Sequence, residues 1–335
     1  MRLLKGSIPS IRKQAAFLGL AVLLVLTGCS TVEVWFGYRI RLEKTPMASM
    51  QASLPKGPGL VPGKRTGMVV TMVGKDGQAY ATEGKGKGKV LWEDLTVTSS
   101  IVTVDGKGRI SLPADPRLSD GKVGHVVITA PSQQELRAEL DIPPRYDAPF
   151  TCNFQGGAGL SGTDGSAGMD GMSGGMGSFD PNNPSPGGDG TSGSNGSDGS
   201  DGWSGQDGPP VVVRVALRAG PRPLLMASCT GGGREEFFLV DPQGGRLTVH
   251  SAGGPGGTGG KGGRGGRGGM GGSGTPSGNS GSDGLSGRDG SDGSSGRDGQ
   301  VTVIYDPAVK PYLAAILIPG QPGSNFREAP VPPLW

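Results

Sequence analysis

The chain has 335 residues, 67 of them glycine, and only 33% are apolar. Length allows two or three domains, but this composition excludes one large apolar core and points to a repetitive segment beside a smaller ordinary domain. The formal charge of +3 includes Arg2, Lys5, Arg12 and Lys13 at the extreme N-terminus; without them the remainder carries −1. A general electrostatic attraction to nucleic acid therefore has no basis.

Residues 1–14 hold those four cations and no acid, and residues 15–26 (AAFLGLAVLLVL) form one apolar run. The run is shorter than the ~20 residues of an ordinary spanning helix. Leu26, Thr27, Gly28 and Cys29 follow at once. This order resembles the signal peptide and lipobox of bacterial lipoproteins. The resemblance implies cleavage after residue 28, a covalent lipid on Cys29, and a bilayer as partner. Ser30 in place of an aspartate implies the outer membrane, on either face. Three acyl chains, at ~0.8 kcal/mol per buried methylene, make such an anchor effectively permanent.

Residues 29–152 read as a β-rich, sandwich-like domain. Apolar and β-branched runs occur at Thr31–Leu42, Gly67–Val73, Val90–Trp92, Leu95–Val104, Arg109–Leu112 and His125–Ala130. Asp-Gly turns at 76–77, 105–106 and 120–121 punctuate them. Leu136–Leu140 fits either a helical turn or a strand. Residues 44–66, with four prolines, read as a linker. Gly84–Lys89 (GKGKGK) lacks the spacing and the Ser/Thr of a phosphate loop and reads as a solvated hairpin tip.

Residues 153–300 contain four glycine-triplet arms: 156–179, 187–210, 253–276 and 278–300. Each carries eight in-phase glycines. A flexible Gly/Ser linker needs neither phase nor equal block lengths. A period of three matches the polyproline II helix, and eight triplets would span roughly 75 Å. Such a helix has no internal hydrogen bonds, so it must pair with neighbours to offset its ordering entropy. A side-chain-free edge permits that pairing. Short connections between arms favour antiparallel hairpins over a parallel collagen triple helix, and the third arm (GGPGGTGGKGGRGGRGGMGGS) has glycine on two edges. The module resembles the glycine-rich helical bundles of springtail antifreeze proteins and of some phage tail-fibre adhesins; collagen-like bacterial surface proteins are the alternative. A monomer is favoured over a homotrimer.

The insert 211–252 predicts strands at Val211–Arg218, Leu224–Ser228, Glu236–Val240 and Arg246–His250. Val301–Tyr305 and Tyr312–Ile318 add two within the C-terminal 301–335. The expected fold is thus all-β: an N-terminal domain plus four polyproline II helices on a small β base, with essentially no α-helix after the signal peptide. Cys152 and Cys229 fall at that base, and export makes them a disulfide candidate. Aspartates recur at the third triplet position, whereas the third arm carries Lys261, Arg264 and Arg267; opposite charges on neighbouring edges could set register, or the charges could serve solubility alone. The aspartates also raise calcium, with Asp198, Asp201, Asp289 and Asp292 as candidates. Leu160, Met169, Met172, Met176, Phe179, Trp203, Met270 and Leu285 are arm residues that either pack between arms or form a binding patch. The turns near 179–187 and 274–278 are the expected contact points.

Only two histidines, His125 and His250, are present, with no metal-ligand spacing, and Asp147 and Glu139 form no recognisable acid–base pair. The function expected is non-enzymatic, without a cofactor beyond the Cys29 lipid. It is a surface-anchored structural spacer or adhesive module, or else a subunit of an envelope complex.

Overall fold

The computed structural model describes residues 38–335 apart from positions 219 and 322. They divide into two compact units, one ending at Ala148 and one beginning at Pro149. Pro149–Gln155, placed by sequence mainly in the N-terminal domain, belongs with the arms.

In the first unit the strands are β1 (Met47–Ser53), β2 (Arg65–Gly67), β3 (Val69–Gly74), β4 (Ala79–Ala81), β5 (Thr96–Ser100), β6 (Thr103–Val104), β7 (Arg109–Ser111), β8 (Gly124–Ala130) and β9 (Gln133–Ile142). They form three three-stranded sheets, β1-β3-β4, β2-β7-β6 and β5-β8-β9, with every pairing antiparallel. One core, including Leu42, Val70, Met72, Val90, Ile110, Ile128 and Ile142, is shared by all three instead of lying between two sheets.

Two expectations are corrected here. Residues 44–66 are not a linker: β1 pairs with β3, and Met47, Ala52, Leu54 and Leu60 are buried. The Gln133 amide braces this segment, accepting from Met47 N–H at 2.7 Å and donating to the Leu42 and Thr45 carbonyls. The polar look of MASMQAS hid a strand whose tertiary partners supply the burial. The Val90–Trp92 run gives only bridging contacts at Val90 and then a short 3-10 turn at Trp92–Asp94. Leu136–Leu140 resolves as part of β9. Most of the Thr31–Leu42 run lies outside the described residues.

The second unit contains β10 (Pro149–Gln155), β11 (Val211–Arg218), β12 (Leu224–Gly231), β13 (Arg234–Val240), β14 (Arg246–Ala252), β15 (Val301–Tyr305), β16 (Ile316–Leu317) and β17 (Asn325–Glu328). Sheet β10-β14-β16 is parallel, and β13-β12-β11-β15-β17 is mixed. Tyr312–Ile318, expected as a strand, is mostly the end of a 3-10 helix over Pro307–Ala315. Its cause is Asp306, whose carboxylate accepts from Ala308 N–H ahead of Pro307. Among the described residues the helices are all 3-10; none is α.

Inward rows of Val211, Val213 and Val215 on one sheet, and of Phe150, Phe154, Leu247 and Val249 on the other, are buried. Fully burying each such side chain contributes about 1.5–3 kcal/mol. The alternation of buried and exposed residues along β10 and β14 follows from the two-residue period of a strand.

A local test of the first unit lies in the Asp105–Arg109 turn. Gly108 has φ +65°, and a methyl group there would run into the buried Trp92 ring. Gly106, two residues away, has nothing within 4 Å of that position. Gly108→Ala is expected to destabilise the unit by ~2–3 kcal/mol, and Gly106→Ala to be within about 0.5 kcal/mol of neutral. Urea unfolding of the two variants checks the contrast.

Candidate functional site: the glycine-triplet arms

Arms 1 to 4 (156–179, 187–210, 253–276, 278–300) belong to neither helix nor sheet, yet their main chains are paired throughout. Gly156 donates to Ala252 at the end of β14, and the following arm 1 glycines donate to arm 3 carbonyls at every third residue, from Gly159 to Pro255 through Gly177 to Ser273, all at 2.7–2.9 Å. Arm 2 glycines donate to arm 4 in the same way, from Gly190 to Asn279 through Gly208 to Arg297, and Gly187 donates to Pro276 in the turn before arm 4. Both pairs run parallel. Three antiparallel pairings complete the set: arm 2 to arm 1 (Thr191 to Met172), arm 3 to arm 2 (Gly260 to Ser200) and arm 4 to arm 3 (Gly287 to Gly263). Arms 2 and 3 therefore each have three neighbours, and arms 1 and 4 have two.

The strands of the base set this register. β10 and β14 pair with an offset of 97 residues, and β11 and β15 with an offset of 90. Arms 1 and 3 continue the first offset and arms 2 and 4 the second.

Glycine is required because the arms approach to main-chain contact. A Cβ on Gly165 would collide with the Ser197 carbonyl, and one on Gly196 with that of Gly263. In arm 3 the two glycine rows face different neighbours. Gly260 abuts Thr163 of arm 1, whereas Gly259 abuts Gly290 of arm 4. This explains the doubled glycines of that arm: it needs two bare edges.

Side chains at the other triplet positions satisfy the remaining amides. Asp198 and Asp201 accept from the N–H groups of Arg288 and Ser291, at 2.6 and 2.7 Å. Asp289 and Asp292 accept from Gly262 and Gly259, both at 2.8 Å. Asp164, Asp170, Asp189, Asp207, Asp283 and Asp298 act alike. Ser194, Ser197, Ser200 and Thr191 of arm 2 cap arm 1 amides. Charge pairing was one of two roles open to these acids, solubility the other; carboxylate-to-amide bonds link the arms instead, and among the described residues Lys261–Asp289 at 3.1 Å is an ion pair within the arms. These carboxylates each spend an oxygen on an amide, and no group of three or more potential metal ligands occurs among the described residues.

The Asp289 carboxyl is held below the usual carboxylate range, first by the Gly262 N–H and then by the Lys261 ammonium. A depressed folded pKa gives stability that is complete above the unfolded value and is lost as pH falls through the folded one.

The eight apolar arm residues do not pack between arms. Their exposures run from 61% for Phe179 to 82% for Met176. Leu160 and Trp203 are neighbours near the base, joined by the Trp203 N–H to Leu160 carbonyl bond. Met169, Met172 and Met176 lie in the second half of arm 1, where Gly174 N–H bonds the Met270 carbonyl. The turns after arms 1 and 3 meet at the same end, through Thr275 N–H to the Ser185 carbonyl at 3.0 Å and Gly187 N–H to the Pro276 carbonyl at 2.9 Å.

Other sequence candidates separate. His125 sits on an exposed strand with Nδ1 2.7 Å from Asp141, while His250 lies on β14 in the other unit. Leu26, Thr27, Gly28 and Cys29 lie outside the described residues. Among those described, no helix is long and apolar enough to cross a membrane. Cys152 and Cys229 are both buried, with free thiols.

Two tests follow from this geometry. Gly260→Ala is expected to destabilise the arms by ~2–3 kcal/mol or more, since the Thr163–Asp164 main chain of arm 1 must shift. Ala167→Ser, at an exposed third position, is expected to be neutral; thermal melts of both report the difference. The melting temperature of the arms is expected to be flat from neutrality to about pH 5 and to fall below about pH 4. Asp289→Asn, which keeps an acceptor oxygen but has no charge to lose, should show a smaller fall in melts at pH 7 and pH 3. No family model matches the chain, and no curated protein matches it.

Proposed function

We propose that this is a non-enzymatic, membrane-anchored lipoprotein of the bacterial cell surface. Cys29 carries the lipid, and the four arms are polyproline II helices forming a stiff rod on the β base. The rod holds a methionine-rich end away from the base as a contact surface for another molecule. The proposed location is the outer membrane.

The observation that carries this reading is the closed main-chain pairing of the arms within one chain. Glycine amides that a collagen triple helix would donate to sister chains are already spent on arms of the same molecule. Ordering four long glycine-rich segments costs about 1–2 kcal/mol per residue, which such a hydrogen-bond array helps to offset. Side chains are thereby released from core packing, which accounts for apolar residues standing exposed. Met and Phe there suit an adaptable apolar contact rather than a charged one. The partner is an envelope protein or another surface ligand; nucleic acid has no counterpart in the charge pattern.

Three measurements test the proposal. Cys29→Ser is expected to move the protein from the detergent-extracted membrane fraction to the soluble one; retention in the membrane would overturn the anchor. Circular dichroism should give a polyproline II signal lost in one cooperative melt; a gradual drift would overturn the ordered rod. Light scattering of the detergent-free Cys29→Ser protein is expected to give a monomer, and a trimer mass would favour the collagen-like alternative.

A further inference from the structure

The two cysteines outside the N-terminal segment meet between the sheets of the base. On β10 the inward row is Phe150, Cys152 and Phe154. On β12 it includes Ala227, Cys229 and Gly231. Contacts on both sides bracket the pair. The Phe150 ring packs edge-on, 6.2 Å between centroids, against Phe238, which pairs with Ala227. At the other side, a Phe154 ring carbon lies 3.4 Å from where a Cβ of Gly231 would stand. Between these contacts sit Cys152 and Cys229, each 0% exposed. The small Ala227 and Gly231 that flank Cys229 leave room for the close sheet approach that a disulfide needs.

We propose that Cys152 and Cys229 are joined as an inter-sheet disulfide in the mature protein, and that the bond forms before the sheets close. In the step, one sulfur–sulfur bond forms, each thiol gives up a proton, and two electrons pass to the disulfide of an oxidant, which leaves as two thiols. Exchange requires a thiolate with access to that oxidant. The closed base provides neither: both residues are buried, and the Cys152 thiol together with burial pushes the Cys229 thiol up. The bond would close a ring from 152 to 229 that contains arms 1 and 2 whole, restricting the unfolded chain over a long loop. In the cell this relies on the proposed export to an oxidising compartment; in vitro the geometry is tested without it.

The full chain is unfolded, reduced, and refolded with oxidised glutathione, then alkylated in guanidinium and mapped by mass spectrometry. A Cys152–Cys229 linked peptide is expected. Alkylation of both residues, or linkage of either to Cys29, would overturn the bond. The same oxidant added to natively folded, reduced protein should form the link at least about tenfold more slowly than during refolding, and equal rates would overturn the proposed order. Oxidised protein should melt about 10 °C above the same protein reduced; coincident melts would deny the bond a structural role. None of these outcomes depends on Cys29 lipidation.

Discussion

Everything distinctive in the second unit depends on the absence of a Cβ along one edge of each arm, and along two edges of arm 3. Without it, main chains approach until glycine N–H groups reach carbonyls of the neighbour at 2.7–3.0 Å. With it, the built Cβ positions fall on backbone atoms that cannot move independently. The glycines thus act as interior residues although they have no side chain to bury, and the hydrogen-bond array takes the place of an apolar core. Such an array is costly to leave incomplete, because each unpaired main-chain group surrounded by others loses its water.

That requirement explains the polar residues between the glycines. One amide per triplet, and two in arm 2, are met by main-chain carbonyls; others are met by Asp, Asn, Ser or Thr reaching from the adjacent arm. The aspartates are thus structural acceptors at arm surfaces, in the way an Asp caps orphan amides at a helix start. An exposed charge is compatible with this role, as one carboxylate oxygen bonds to the amide and leaves the other for a second partner, as Asp289 uses its own on Lys261.

The β base and the arms are one design in different backbone forms. Parallel strands β10 and β14 hand their offset to arms 1 and 3, and β11 and β15 hand theirs to arms 2 and 4. The apolar interior of the base, with Val211, Val213, Val215, Leu247 and Val249 buried, fixes that offset at one end; the bonded turns at 185, 187, 275 and 276 fix it at the other. Freed from packing, the arm side chains can vary along the exposed edges, and the methionines of arm 1 occupy that freedom. This is the physical basis for reading the arms as a scaffold that displays a contact surface.

The sequence by itself determined the arms, their bounds and their bare edges, because a strict period of three records a constraint that recurs at every turn of the chain. It also determined most base strands: Val211–Arg218 alternates with the two-residue period that a half-buried strand needs. It did not reveal β1, whose residues MASMQAS look polar until Met47 and Ala52 find the core, nor the 3-10 helix over Pro307–Ala315, whose apolar residues mimic a strand. Only the tertiary structure decided which amide each aspartate caps, since that choice depends on offsets of 90 and 97 residues set by strand pairing in the base. It alone decided that the apolar arm residues face solvent and that Cys152 meets Cys229. Local pattern reports what each residue can do to its own backbone; partners brought from ninety residues away are a property of the assembled fold.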